Sequence, residues 1–480
     1  MDIRDRLFIG GDWVAPASDR TIEVVSPSSE EPVGRVPEAT EADVDRAVAA
    51  AREAFESGPW PRTPPAERAE LLGRLSAEIQ GRSQEMAELI SHENGSPVSW
   101  SIMGQVFAAT MVFDYYAGLG KTFDFTETRT GMLGPVRVHQ HPVGVAAAIA
   151  PWNVPLFINA LKLAPALLAG CTVVLKPAPE TPLDSYVLAE CLQAVGLPPG
   201  VVNIVPAGRE VGEHLVTHPD IDKVSFTGST VAGRRIASLC GERLRRVTLE
   251  LGGKSAAIIL DDANLDDVMA GLMPATLMNN GQACVAQTRI LASRDRYDEV
   301  VDRVSEVVGA LKVGDALDPA TEVGPLVAER QRDRVEGYLK AGREEGARIT
   351  VGGGRPSGLD KGWYVEPTVF ADVKNSMTIA QEEIFGPVLS VIPYTDVDDA
   401  VAIANDSDYG LSGSVWGADV ERSAEIAARV RTGTSSVNLF MMDFGSPFGG
   451  FKQSGLGREM GPEGLIGYLE AQSVCLPMQG

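Results

Sequence analysis

The sequence predicts an α/β protein with two lobes, each built around a mainly parallel sheet. From about residue 140, short apolar runs alternate with helical stretches, as they do in βαβ units. A second series of the same kind runs from 255 to about 440. The chain has 480 residues, enough for two or three domains, and its 44% apolar and 22% charged residues are ordinary for a globular protein.

The part of the chain before these series is predicted to contain two helices. Residues 40–57 carry one apolar stripe behind a capping box formed by Thr40 and Asp43. Residues 64–90 form the second predicted helix, which starts at a proline and carries Leu71, Leu72, Leu75 and Ile79.

The two α/β series predict their elements in chain order. The first consists of strands and helices at 144–151 (strand), 157–170 (helix), 172–178 (strand), 185–196 (helix), 201–206 (strand), 223–229 (strand) and 230–240 (helix). The second has a strand at 255–260, a helix at 264–279, a strand at 288–293, a helix at 296–311 and a strand at 435–440. No linker is obvious, and we place the boundary between the lobes near residue 250.

Composition argues against several classes of partner. Net charge is −23, from 65 acidic and 42 basic residues, so the surface repels nucleic acid and anionic membranes. The five cysteines are odd in number and form no CxxC motif, which favours a reducing cytoplasm without disulfides. No apolar run reaches the roughly 18 residues of a membrane span, and the N-terminus does not resemble a signal peptide.

No metal site is predicted. His214 and His218 are spaced i, i+4, as two ligands on one helix face would be, but the glutamate of an HExxH zinc motif is absent. A pair of surface histidines is the better interpretation.

One strand is predicted to end at an acid followed by two glycines. In VTLELGGKSAAIIL (247–260), Glu250 points away from the apolar face of its strand. Gly252 and Gly253 permit a sharp turn or a close approach of the backbone. The ending GGKS resembles a P-loop, but Thr248 stands where that motif needs a glycine. Taken alone, Glu250 is more typical of a solvated strand face.

Other polar residues also lie at predicted strand ends. Lys176 ends a buried strand, where doubly wound folds bind ligands, although it can equally snorkel to the surface. Gly228 lies in a strand–helix turn that can hold an anion or be an ordinary tight turn, and its spacing is not GxGxxG. Asn153, between two prolines, can stabilise an oxyanion or cap a turn. Glu382 and Glu383 precede a strand, where adjacent acids are usually solvated.

One cysteine stands among small and polar residues. The segment MNNGQACVAQTR (278–289) places Cys284 after two asparagines and a Gly-Gln pair. No local signature of a Cys–His hydrolase accompanies it.

The order of these motifs resembles the aldehyde dehydrogenase superfamily. APWNVPL, LKP, FTGST, LELGGKS, NNGQAC, EEIFGPV and PFGGFKQSGLGRE follow one another across 150–459. The similarity extends from FIGGDWV (8–14) to GYLEAQSV (467–474). Glu250 with its two glycines, followed by the Gly-Gln-x-Cys that ends at Cys284, is a highly specific pairing.

This resemblance implies a three-part architecture. A Rossmann-like dinucleotide-binding domain would comprise 1–122 and 143–252, and an α/β catalytic domain would comprise 253–452. A small β oligomerisation arm would comprise 123–142 and 465–480. The variant Rossmann fold would account for the missing GxGxxG. The implied enzyme is a cytoplasmic homodimer or homotetramer that uses NAD or NADP and takes a small-molecule aldehyde as substrate.

The resemblance also implies catalytic roles. Cys284 would attack the aldehyde, while the side chain of Asn153 and the backbone N–H of Cys284 hold the oxyanion. Glu250 would activate water to hydrolyse the thioester, or help to deprotonate the thiol. Lys162 and Glu459 match positions that relay protons near this glutamate.

Cofactor and substrate residues are implied in the same way. The cofactor set is Lys176 for the adenosine ribose, Gly228 and Ser229 for the pyrophosphate, Trp152 on the cofactor-facing segment, Glu383 for the nicotinamide ribose and Phe385 beside the ring. The substrate pocket would be formed by residues that are otherwise ordinary core, namely Met103, Val154, Val285, Phe440 and Phe444. Because these are mostly apolar, we expect a hydrophobic or aromatic aldehyde.

Two positions refine the reaction. NAD-preferring members often carry a glutamate three residues after the lysine, but here Pro179 holds that place and Glu180 follows it. We therefore hypothesise that NADP is accepted alongside or above NAD, since a carboxylate that would repel a 2′-phosphate is missing. The presence of Glu250 favours hydrolysis over transfer of the acyl group to coenzyme A.

Two alternatives remain. One is a semialdehyde dehydrogenase on the same scaffold. The other is a non-enzymatic structural or binding protein that kept the fold, against which the intact set of Cys284, Glu250, Asn153, Lys176 and Glu383 argues.

Overall fold

The computed structural model describes residues 1–477, with strands and helices along the whole range. The strands are β1 Asp2–Ile3, β2 Leu7–Ile9, β3 Asp12–Val14, β4 Thr21–Val25, β5 Pro32–Pro37, β6 Thr126–Gly131, β7 Gly134–Pro142, β8 Val145–Ile149, β9 Thr172–Lys176, β10 Val202–Ile204, β11 Lys223–Thr227, β12 Arg246–Glu250, β13 Ala256–Ile259, β14 Arg289–Ser293, β15 Arg348–Val351, β16 Thr368–Ala371, β17 Val388–Tyr394, β18 Gly413–Trp416, β19 Ser436–Val437, β20 Gly455–Leu456 and β21 Leu469–Cys475.

The first five helices follow one another between β5 and β6, and most of the later helices lie between strands. The helices are α1 Glu41–Glu56, α2 Pro65–Gly81, α3 Ser83–Asn94, α4 Val98–Trp100, α5 Ala108–Leu119, α6 Pro155–Ala169, α7 Leu183–Ala194, α8 Arg209–Thr217, α9 Thr230–Glu242, α10 Leu265–Thr276, α11 Tyr297–Gly309, α12 Glu329–Glu344, α13 Thr378–Gln381, α14 Val397–Asn405, α15 Val420–Ala428 and α16 Gly461–Ile466. A π-helical stretch, Ser101–Phe107, joins α4 to α5. None of the helices within 1–477 is both long and apolar enough to cross a membrane.

The largest sheet has the order β20-β12-β11-β8-β9-β10-β2-β3. Five neighbouring strands in the middle of this sheet, β12, β11, β8, β9 and β10, are parallel. Strand β20 pairs antiparallel to β12, and β2 pairs antiparallel to β10. Strands β8 and β9 are buried along their whole length, which explains their near-continuous apolar sequences. The chain runs outward from β8 to β10 and then returns to the other side of β8 for β11 and β12. A crevice opens at such a switch in strand order, at the carboxyl ends of the strands.

The second large sheet has the order β15-β16-β17-β14-β13-β18-β19 and is parallel apart from β15. It confirms the second α/β series that the sequence predicts. Helix α11 packs on one side of it through an apolar cluster that includes Val300, Val301 and Val304.

Two small sheets complete the fold. One has the order β1-β5-β4. The other has the order β21-β7-β6 and is antiparallel, with residues 136–142 of β7 paired to β21 and residues 134–139 paired to β6. The predicted arm corresponds to this second sheet, although positions 478–480 of the arm lie outside the described residues. The ranges of the three predicted domains stay predictions.

The capping box is confirmed. Thr40 accepts a hydrogen bond from the backbone N–H of Asp43, and the Asp43 carboxylate accepts one from the backbone N–H of Thr40. This reciprocal pair begins α1 at the predicted place.

Two predicted helices are wrong in extent. The helix expected over 64–90 is two helices that meet at Arg82, whose φ of −110° and ψ of 20° interrupt the α-helical path just after Gly81. The helix expected over 264–279 ends at Thr276. It cannot continue through Asn279, because this residue has a left-handed φ of 51°.

Candidate active site

Cys284 lies in the loop between α10 and β14. Asn279, Asn280 and Gly281 there have φ values of 51°, 61° and 73°, a left-handed run that glycine adopts freely and that asparagine tolerates better than most other residues. A Cβ at Gly281 would lie 2.2 Å from a backbone carbonyl oxygen of a neighbouring loop, so only glycine fits. The turn presents a half-buried thiol to a cavity.

The surroundings of Cys284 favour the neutral thiol over the thiolate. Burial raises the pKa of Cys284, and the negative charges of Glu383 and Glu250 raise it further. The backbone N–H groups of Cys284 and Val285 act in the opposite direction. Activation of the thiol at neutral pH therefore needs a nearby base or a positive charge.

Glu250 is the last residue of β12 and is only 2% exposed. Neither of its carboxylate oxygens has a hydrogen-bond partner within residues 1–477. Burial raises the pKa of Glu250 well above its ordinary value, and the negative charge of Glu459 adds to the rise. A buried carboxyl group of this kind suits the exchange of protons with a substrate or a water.

Asn153 follows β8 and lies just before α6. Its side-chain Nδ2 donates a hydrogen bond of 2.9 Å to the backbone carbonyl of Gln282. The contact joins the end of a strand in the first sheet to the loop that carries Cys284. Asn153, Glu250 and Cys284 line one cavity of about 900 Å³.

Lys162 and Glu459 form a buried ion pair beside this cavity. Lys162 Nζ lies 2.9 Å from Glu459 Oε1 and also donates to the hydroxyls of Thr227, at 2.8 Å, and Ser225, at 3.2 Å. Glu459 lines the cavity together with Glu250. The structure thus brings all five predicted catalytic residues into one neighbourhood.

Several of the predicted cofactor residues lie at or just after the carboxyl ends of the parallel strands of the first sheet. Lys176 ends β9, and its Nζ donates to the backbone carbonyls of Ala207, at 2.8 Å, and Pro177, at 3.1 Å. Burial lowers the pKa of Lys176 to about 8. Pro179 follows in the turn that leads to α7, where Glu180 is held in an ion pair with Arg330.

The turn after β11 is hydrogen-bonded to the end of β12, the strand that carries Glu250. The N–H of Gly228 donates to the carbonyl of Glu250 at 3.0 Å. Ser229 caps α9 by accepting a hydrogen bond from the N–H of Ala232. The free N–H groups at the start of this helix of 13 residues suit the phosphates of a dinucleotide.

The remaining cofactor residues come from both large sheets. Glu383 Oε1 accepts a hydrogen bond from the N–H of Gly253 at 2.9 Å, which places it against the glycine pair after Glu250. The rings of Trp152 and Phe385 meet edge to face, with centroids 5.3 Å apart. The donors and the glycine turns thus fit a dinucleotide laid across the strand ends.

The five predicted substrate residues all line the cavity, namely Met103, Val154, Val285, Phe440 and Phe444. Its lining is mainly apolar, and none of the described residues around it is Lys, Arg or His. Sequence reasoning missed further apolar wall residues, which include Trp100, Phe107, Phe157, Leu161, Met278 and Met442. The spacing of Trp100, Met103 and Phe107 along one helical run was a signal that could have found part of this wall.

The comparisons with known proteins agree with this geometry. The profile of the aldehyde dehydrogenase family matches residues 13–474. The geranial dehydrogenase of Castellaniella defragrans is 50% identical over 471 residues, which are 98% of each chain. An aldehyde dehydrogenase of Mycobacterium tuberculosis, solved in complex with NAD+, superposes with a TM-score of 0.98 at 53% identity over 99% of each chain. A mutant of aldehyde dehydrogenase C from Pseudomonas syringae, solved with NAD+ and octanal, has a TM-score of 0.95 and 43% identity, covering 98% of this chain and 96% of its own.

Proposed function

The chain belongs to the aldehyde dehydrogenase family of oxidoreductases, which act on aldehydes, and from that premise we propose that it oxidises an apolar aldehyde to the free carboxylic acid with NAD or NADP. The observation that carries this proposal is the convergence of Cys284, Glu250 and Asn153 on one mainly apolar cavity. Because the three residues come from separate segments of the chain, their meeting in one cavity favours joint action on one substrate.

The reaction begins at Cys284. Its thiol first releases a proton to water, which the positive charge of a bound nicotinamide ring would favour. The sulfur then attacks the carbonyl carbon of the aldehyde and forms a thiohemiacetal, while the carbonyl oxygen gains negative charge. Asn153 Nδ2 uses one hydrogen on the carbonyl of Gln282 and keeps its second hydrogen for this oxygen, together with the backbone N–H of Cys284. When bound, the nicotinamide ring supplies the acceptor for the hydride that leaves the substrate carbon.

The thioester that remains on Cys284 is hydrolysed with help from Glu250. Its carboxylate removes a proton from water, whose oxygen attacks the thioester carbon, and the sulfur leaves as a thiolate. Glu459 and Lys162 then carry this proton away from Glu250, since Glu459 shares the cavity with Glu250 and is paired with Lys162. The net product is the acid, not an acyl-coenzyme A.

The cofactor is held at the switch in strand order. Lys176 would bind the adenosine ribose, Gly228 and Ser229 the pyrophosphate, and Glu383 the nicotinamide ribose. Trp152 and Phe385 would help to hold the nicotinamide ring. A nearby relative from M. tuberculosis was solved with NAD+, which supports a dinucleotide here.

We expect NADP to be accepted alongside or above NAD. Pro179 offers no carboxylate to repel a 2′-phosphate, and the neighbouring carboxylate of Glu180 is neutralised by Arg330. Measuring kcat/KM for both cofactors tests this expectation, and a strong preference for NAD contradicts it.

The substrate is expected to be hydrophobic or aromatic. The cavity has no described cation for a second carboxylate, and its walls are made of methionine, phenylalanine and aliphatic side chains. Two relatives support an apolar substrate: one is named geranial dehydrogenase, and the other was solved with octanal. A panel of benzaldehyde, hexanal and succinic semialdehyde tests this, and best activity on the semialdehyde would identify the alternative enzyme.

The proposed mechanism is tested at the nucleophile. Cys284→Ala is expected to lose dehydrogenase activity while it still binds cofactor with ordinary affinity, measured by quenching of protein fluorescence. Full activity in this variant would exclude the mechanism. Coenzyme A-dependent turnover of the unchanged enzyme would overturn hydrolysis as the final step.

A homodimer or homotetramer built through the sheet β21-β7-β6 is proposed as the assembly. Strands β6 and β21 form the two outer edges of this sheet, so each offers backbone groups to another subunit. Native mass measurement decides between monomer, dimer and tetramer.

A further inference from the structure

Three side-chain amides converge on the backbone carbonyl of Asn153. Asn279 Nδ2 donates to this oxygen at 2.8 Å, Asn94 Nδ2 at 3.0 Å and Gln105 Nε2 at 3.3 Å. They come from three different segments: the loop before Cys284, the end of α3 and the π-helical stretch. A carbonyl oxygen has two lone pairs, so three donors exceed what satisfying this atom requires.

The same amides tie Asn153 to the nucleophile loop. The carbonyl of Gln282 accepts both Asn153 Nδ2, at 2.9 Å, and Asn279 Nδ2, at 3.2 Å. Asn279 therefore bridges the main chain of Asn153 and the main chain two residues before Cys284. The side chain of Asn153 closes the same ring from the other side, which fixes the separation between the two segments.

This cluster of buried amides lowers the stability of the fold if its only role is to fill space. Asn279 is 2% exposed and Gln105 is fully buried, yet Asn279 Oδ1 and Gln105 Oε1 have no hydrogen-bond partner within residues 1–477. Burying an unpaired amide oxygen destabilises a protein, and apolar side chains would fill the space without this cost. Asn279 also has a left-handed backbone, which is less favourable than an ordinary helical turn.

We propose that Asn279, Gln105 and Asn94 are positioning residues that hold Asn153 at the distance and angle where its second N–H meets the oxyanion on Cys284. The inference rests on the proposed role of Asn153 and adds three residues that act on the oxyanion through it, although Asn279 also lines the cavity. Loss of one amide loosens Asn153 without removing its carboxamide. Errors of about 1 Å in such a position cost about 100-fold in rate.

The neighbouring asparagine provides a matched control. Asn280 is also buried and left-handed, but its side chain donates to the carbonyls of Gly95 and Pro325 and accepts the N–H of Gly324. It stabilises the same loop through these three bonds and makes no hydrogen bond to Asn153. Asn280→Ala therefore reports the cost of a weakened loop.

The test is a double-mutant cycle on the full chain. Asn153→Ala should lower kcat by about 100- to 1000-fold, as loss of one oxyanion donor does. Asn279→Ala should lower kcat by about 10- to 100-fold with a small change in KM. In the Asn153→Ala background, Asn279→Ala should cost less than about threefold, because its target is gone.

Alkylation of Cys284 by iodoacetamide separates positioning from collapse of the loop. This reaction needs no oxyanion donor, so Asn279→Ala should keep the alkylation rate of the unchanged enzyme within about threefold. Gln105→Met changes a residue of a different segment and should show the same coupling to Asn153. It replaces Asn279→Ala in the test if that variant does not fold. Asn280→Ala should show no such coupling.

Three outcomes overturn the inference. A full additional loss from Asn279→Ala or Gln105→Met in the Asn153→Ala background shows that they act independently of Asn153. Equal coupling of Asn280→Ala shows a general loop effect. An unchanged kcat in Asn153→Ala removes the role on which the inference rests, whereas activity in Cys284→Ala would reject the mechanism itself.

Discussion

Replacing Glu250 by glutamine separates the two halves of the proposed reaction. The substitution keeps the shape of the side chain and removes its ability to accept a proton. Shape matters here, because Glu250 Oε1 lies 2.6 Å from the position that a Cβ on Gly449 would occupy. Neither oxygen of Glu250 accepts a hydrogen bond within residues 1–477, so the amide breaks no existing contact.

The expected loss is confined to hydrolysis. A positioned general base contributes about 10²- to 10⁴-fold to a rate, which corresponds to roughly 3–5 kcal/mol of barrier. Glu250→Gln should therefore lower steady-state kcat by that factor and leave the first hydride transfer intact. Rapid-mixing measurements of the absorbance of reduced cofactor should show a burst of one equivalent per active site, followed by slow turnover.

The pH dependence gives a second readout. Burial and the charge of Glu459 raise the pKa of Glu250, so a substantial part of the carboxyl is protonated below this raised value and cannot act as a base. The kcat of the unchanged enzyme should rise as pH increases through that pKa, and Glu250→Gln should lose this rise. Glu322→Gln is the matched control, since Glu322 lines the outer part of the cavity and is exposed.

Two results would refute this reasoning. If the first turnover slows as much as the steady state and no burst forms, Glu250 acts earlier, on the thiol. If Glu250→Gln keeps the same rise of kcat with pH, another group is the base.

Three further predictions test the surroundings of the site. Lys162→Met should lower the free energy of unfolding in urea by about 3–5 kcal/mol because it leaves Glu459 buried and unpaired, and addition of Glu459→Gln should recover most of the loss; an additive effect contradicts the pair. Gly281→Ala should reduce soluble yield and activity, because its Cβ would meet backbone at 2.2 Å, whereas Gly337→Ala on the surface of α12 should be neutral or stabilise by about 0.5–1 kcal/mol; equal tolerance of both would show that the loop adapts. Phe444→Arg should shift the ratio of kcat/KM for succinic semialdehyde over hexanal upward by about tenfold, the value of one charge-assisted hydrogen bond, and an unchanged ratio would place Phe444 away from the substrate.

Local patterns were sufficient to predict many of the strands and helices in the two large sheets and the layers that cover them. The two α/β series and the helix over 40–57 depend on apolar periodicity and on turn and capping residues that stand next to each other in the chain. The error at the end of α10 arises where a backbone conformation depends on a distant contact. Asn279 could have continued a helix by pattern, but its side chain binds the carbonyl of Asn153 and its φ is left-handed.

The candidate site divides in the same way. Cys284, Glu250 and Lys176 stand in short motifs whose order resembles the aldehyde dehydrogenase superfamily, and this resemblance predicts their roles. The charge of −23 argues against nucleic acid as a partner. Neither motif order nor composition can show that Asn94, Gln105 and Asn279 meet at one carbonyl oxygen. Amide side chains show no periodicity in the sequence. The partner that folding brings within about 3 Å decides the role of each one, which is to fill space, to cap a turn or to hold a catalytic group. Chemistry and element order were therefore readable along the chain, whereas the amide contacts and the apolar walls of the cavity exist only once the two large sheets have packed together.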